Sequence, residues 1–106
     1  MRDLPLYKAN SEILDVWFSR LEQEQILFSR KGEAFESGEA WHQPWNVEQA
    51  GKNIFWFEVA REKPSGRHVV VFGPPPEAEF VATYAKVNKL LVDCGAEKLT
   101  TLKEKE

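Results

Sequence analysis

Residues 53–95 read NIFWFEVA (53–60), REKPSGR (61–67), HVVVFG (68–73), PPP (74–76) and EAEFVATYAKVNKLLVDCG (77–95). In the first block Phe55, Phe57 and Val59 share one face of a strand, while Ile54 and Trp56 share the other. Apolar side chains on both faces predict a central strand over about 54–61, covered at least in part on each side. Lys63-Pro64-Ser65-Gly66 supplies a proline for an early turn position and a glycine for positive φ, so His68–Phe72 returns as the partner strand of a hairpin. Gly73 and three prolines then stop the sheet, because proline brings no ladder donor. Phe80, Tyr84, Val87, Leu91 and Cys94 recur at helical spacing, which predicts a helix over about 77–94 closed by Gly95.

Working outward towards the N-terminus, Asn10 and Ser11 offer cap oxygens, and Ile13, Leu14, Trp17, Phe18 and Leu21 form a wide apolar stripe. A helix over about 11–24 follows. Residues 1–9 read as an irregular lead-in. Ile26-Leu27-Phe28 suggests a short strand that turns at Lys31-Gly32 into Glu33–Glu36 as a first hairpin. Between Ser37 and Lys52 neither period survives, and Gly38, Pro44, Asn46 and Gly51 punctuate a long loop in which Val47–Ala50 could make one helical turn. Lys98–Leu102 suggests a last short strand beside the hairpin. The expected fold is one α+β domain over residues 1–106: a small antiparallel sheet built on the central hairpin and packed by two helices.

Composition narrows the function classes. Four Trp and seven Phe in 106 residues predict a core held by ring packing. A net charge of −3 argues against non-specific coating of nucleic acid, which needs many cations near phosphates. The acidic excess lies in the first half, where residues 1–52 carry six basic and nine acidic side chains against eight of each in 53–106. A single cysteine forms no internal disulfide, and no stretch approaches a membrane span, so a soluble cytoplasmic protein is expected. His42 and His68 lack close cysteine or carboxylate partners at ligand spacing, so neither a metal nor another cofactor is expected. Cys94 sits on the apolar stripe near a helix C-terminus, where the dipole disfavours a thiolate, and reads as a core residue. Gly73–Pro76 lies where a phosphate loop would, but three prolines remove the donors such a loop needs.

Three functional readings remain. The first is a non-enzymatic protein-binding module, an adaptor, modulator or inhibitor. Trp41, Pro44 and Trp45 are its anchors, and Glu33, Glu36 and Glu39 steer a basic partner. The competing structural reading folds both indoles back as a lid on the core. The second is nucleic-acid binding through Arg61, Lys63, Arg67 and His68 at the hairpin tip, with tryptophan stacking. The third is an acid–base enzyme using His42 with Glu36 or Glu39. A free strand edge also allows a homodimer.

Overall fold

The computed structural model describes residues 3–99 and 102–103. Nine strands and two helices follow in the order β1 (Asp3–Leu4), β2 (Leu6–Ala9), α1 (Ser11–Gln23), β3 (Leu27–Arg30), β4 (Phe35–Ser37), β5 (Ala40–Gln49), β6 (Lys52–Glu62), β7 (His68–Phe72), a 3-10 turn (Ala78–Phe80), α2 (Val81–Asp93), β8 (Glu97–Lys98) and β9 (Leu102–Lys103). Seven strands form an antiparallel open sheet of order β3-β5-β6-β7-β2-β8, with β4 also on β5; β1 and β9 pair separately. The domain is α+β, with the central hairpin at the expected place and both helices packed on the sheet.

Side-chain alternation explains why the helices choose one face. Phe55 and Phe57 of β6, Val70 and Phe72 of β7, Tyr7 of β2 and Val47 of β5 point into one cluster. Leu14, Trp17 and Leu21 of α1 and Tyr84, Val87 and Leu91 of α2 close over it. Trp17 is 0% exposed, lies 4.9 Å from Phe57 and 6.1 Å from Phe72, and donates its indole N–H to the Val87 carbonyl at 3.2 Å. No buried side-chain polar atom among the described residues lacks a partner.

Capping settles the helix ends. The Asn10 side chain accepts from the Ile13 N–H at 2.8 Å, so α1 starts at its cap. Both helices end in the same paired bonds: Gln25 N–H to Glu22 O and Ile26 N–H to Leu21 O, then Gly95 N–H to Val92 O and Ala96 N–H to Leu91 O. Gly95 takes φ +113 without strain, whereas Gln25 takes φ 60 with a side chain attached. Cys94 is half-buried beside this cap, and desolvation pushes its thiol above the ordinary value.

Several expectations are corrected. Residues 37–52 are no loop: β5 runs from Ala40 to Gln49. Pro44 is tolerated there because its carbonyl accepts from Lys31 N–H on the outer-edge side, so its missing donor also faces that side, where β3 and β4 are interrupted. The Gln43 side-chain amide fills the gap, donating to the Gly32 carbonyl at 3.2 Å and the Pro44 carbonyl at 2.8 Å. The helical turn expected at Val47–Ala50 is instead the end of β5 and the start of a tight turn, with Ala50 and Gly51 both at positive φ. β3 and β4 do not form a hairpin with each other, since each pairs with β5. The lead-in is not irregular either: β2 lies between β7 and β8. β8 pairs antiparallel with β2 and not with the hairpin, so no parallel crossover arises. Thr100 and Thr101, inside the strand expected at 98–102, lie outside the described residues.

Two outcomes are expected. Gln25→Gly relieves the left-handed strain and raises stability by up to about 1 kcal/mol in urea unfolding. Burial raises both tyrosine hydroxyls, Tyr84 to about 12, with Tyr7 contributing to the Tyr84 shift. The neutral Tyr84 hydroxyl donates to the Gly73 carbonyl at 2.8 Å. Its raised folded pKa gives stability that is complete below the ordinary value of 10.0 and lost as pH rises through about 12. Tyrosinate absorbance should therefore show no step at the ordinary value, both tyrosines ionising only at higher pH, together with alkaline unfolding.

Candidate interaction surfaces

Among the described residues no three His, Cys, Asp or Glu side chains gather as a metal site would require. Three shallow recesses among the described residues have volumes of 130, 310 and 230 Å³. The most polar recess is lined by Glu24, Glu48, Gln49, Thr83 and Lys86, whose groups are largely committed to one another. Lys86 pairs with Glu24, holding that carboxyl below its ordinary range, and Thr83 donates to Gln49. The sheet itself presents two separate candidate surfaces.

The first surface is the end of the helix-side face that the helices leave uncovered. Cross-strand register places Glu36, Trp41, Arg61, His68 and Ala9 in one row across β4, β5, β6, β7 and β2. The row grades from solvent to core: Glu36, Trp41 (40% exposed) and Arg61 are exposed, His68 is half-buried and Ala9 is buried. Lys63 pairs with Glu36, and Arg67 pairs with Glu62. Arg61 makes no ion pair among the described residues. Burial first, and then the Arg61 charge, lower the His68 pKa, so the imidazole beside that cation is held neutral.

The second surface is the opposite face, which no helix covers. Its first row runs Phe35, His42, Ala60, Val69, Lys8 and Glu97 across six strands. Its second continues through Pro44, Glu58, Val71 and Leu6. Trp56 lies in the next row, opposite Asn46. The His42 ring stacks on Phe35 at 5.1 Å, and its Nδ1 meets Glu58 Oε2 at 2.9 Å. Lys31 Nζ sits 5.3 Å from the Trp56 ring. Trp56 also lies flat on the Gly73 backbone, where an added Cβ would come within 2.4 Å of the indole.

The residues singled out from sequence divide between these surfaces and the core. Trp41 and Glu36 stand in the first row; Pro44 belongs to the opposite face. Trp45 packs 5.1 Å from Phe18, 5.7 Å from Phe28 and 6.2 Å from Phe57, so the two indoles do not form one outward platform. Glu33 and Glu39 are exposed in the turns on either side of β4. Arg61 and His68 join Trp41, while Lys63 and Arg67 are tied to carboxylates at the hairpin tip. His42 contacts Glu58 and not Glu36 or Glu39. Phe35 (46% exposed) and the His42–Glu58 pair went unseen in the sequence, and Trp56 was read only as part of one strand face, because strand register alone brings them together.

No family model, curated protein or solved structure matches this chain. No helix among the described residues is long and apolar enough to cross a membrane. Gly73→Ala is expected to push Trp56 off its seat and cost about 1–3 kcal/mol, read by urea unfolding and a changed tryptophan emission spectrum.

Proposed function

We propose that this chain is a non-enzymatic protein-binding module that docks a partner polypeptide on the Trp41–Arg61 corner of the sheet. The observation that carries the reading is the exposed indole of Trp41 beside Arg61, a cation with no ion-pair partner among the described residues, both on paired strands. Trp and Arg are the side chains most enriched among energetic hot spots. Rigid strands present them with little ordering entropy left to lose. The matching partner surface is an apolar recess for the indole with a carboxylate at its rim for Arg61, and basic groups that answer the exposed Glu33 and Glu39. A cytoplasmic place of action belongs to the same reading, since the lone Cys94 calls for no oxidising compartment.

Nucleic acid is the weaker reading. The Lys63–Glu36 and Arg67–Glu62 pairs occupy two of the cations that would meet phosphates. The test is affinity capture from host lysate with the intact chain, Trp41→Ala and Arg61→Ala, with and without nuclease. Both side chains are exposed, so the variants should keep wild-type thermal stability. One stoichiometric polypeptide, nuclease-resistant and held at least about tenfold more weakly by Trp41→Ala, is expected. Equal capture by the variant, or recovery of nuclease-sensitive material only, would overturn the reading.

A further inference from the structure

We infer that the open face of the sheet is closed by a second copy of this chain, giving a two-fold homodimer joined face to face. The inference is independent of the Trp41 reading and rests on the opposite side of the sheet. A face built for water alternates polar residues along each strand. Here Leu6, Val69, Val71, Ala60, Pro44 and Trp56 lie in adjoining rows at the centre, on β2, β7, β6 and β5. Both helices are committed to the other face, and these six side chains, all half-buried, stand outside the core cluster the helices close.

Charge favours a copy of the same chain. The net charge of −3 would oppose self-association through an ordinary acidic surface. On this face, however, the charges are matched locally. Glu62 pairs with Arg67, Lys8 stands across from Glu97, Lys31 sits over the Trp56 ring, and Glu58 has the His42 ring as a hydrogen-bond partner. A face with an apolar centre and a locally neutral polar surround meets itself without like-charge repulsion, and a self-complementary patch is what an isologous two-fold contact requires. Four adjacent strands at about 4.8 Å spacing, with about six residues of each at about 3.3 Å, give a footprint on the order of 400 Å². That is about half the ~800 Å² per partner of a standard interface and suits a weak dimer. Stacked sheets keep their strands roughly aligned, which such a face permits.

Edge pairing is the alternative route to a dimer, and the fold resists it. One edge consists of β3 and β4, broken opposite Pro44, and the other is the two-residue strand β8. Short interrupted edges of this kind block strand addition.

Sedimentation equilibrium of the purified full chain across the micromolar range is the test. A monomer–dimer equilibrium is expected, with Val71→Glu raising the dissociation constant at least about tenfold. Lys8→Glu, at an exposed position outside the core, should weaken the dimer in the same direction by leaving the new carboxylate and Glu97 as unmatched negative charge on the face that each copy presents to the other. Val92→Glu, on the exposed side of α2, and Trp41→Ala should leave the equilibrium unchanged. A monomer throughout the range would overturn the inference. So would a dimer that Val71→Glu and Lys8→Glu leave intact, or one that Val92→Glu divides.

Discussion

The indole of Trp17 is the contact on which the architecture depends. It is the largest fully buried side chain, and it touches three elements at once: Phe57 and Phe72 from the sheet, and the Val87 carbonyl from α2. Its apolar ring gains from leaving water, while its one polar atom is satisfied by a backbone acceptor on the second helix. That combination fixes how far apart the helices lie and how each sits over the sheet. Phe18 extends the same ring contacts to Phe28 and Trp45, so the aromatic cluster reaches from the central hairpin to the outer strands.

Because both helices are drawn to that cluster, the sheet is covered on one side only. This asymmetry creates both candidate surfaces. Beyond the helices, the row through Trp41 and Arg61 is left in solvent; behind them, the face carrying Trp56, Val69 and Val71 is left open. The two surfaces stand on opposite sides of the same strands, so the two proposed contacts do not compete for the same side chains. The His42–Glu58 pair does not call for an acid–base role. It satisfies a polar pair beside the apolar centre of that face, and the stacked Phe35 ring screens one side of the imidazole.

Much of the fold was legible locally. The central hairpin, the proline stop and both helices follow from periodicity and capping, which depend on neighbours in the chain. The strand β5 was not legible, because Pro44, Asn46 and Gly51 are turn residues by ordinary statistics. Pro44 fits only because its missing donor faces a gap in the edge, and that gap is a tertiary fact. β2 was hidden for a related reason: four residues following Pro5 carry too little pattern until β7 and β8 flank them. Of the candidate surfaces, the identities of Trp41 and Arg61 could be read from the sequence, but their adjacency could not.

What the sequence alone determined is the set of local preferences: where helices begin and stop, which turn reverses the hairpin, and that rings would fill the core. These are settled within a few residues by sterics, capping bonds and hydrophobic periodicity. Only the tertiary structure decided which indole is half-buried against the core and which is exposed. Trp41 and Trp45 lie on the same side of one strand, and the difference between them is whether Phe18 of α1 reaches far enough to cover the ring. That reach is set by packing between distant segments, which no local pattern encodes.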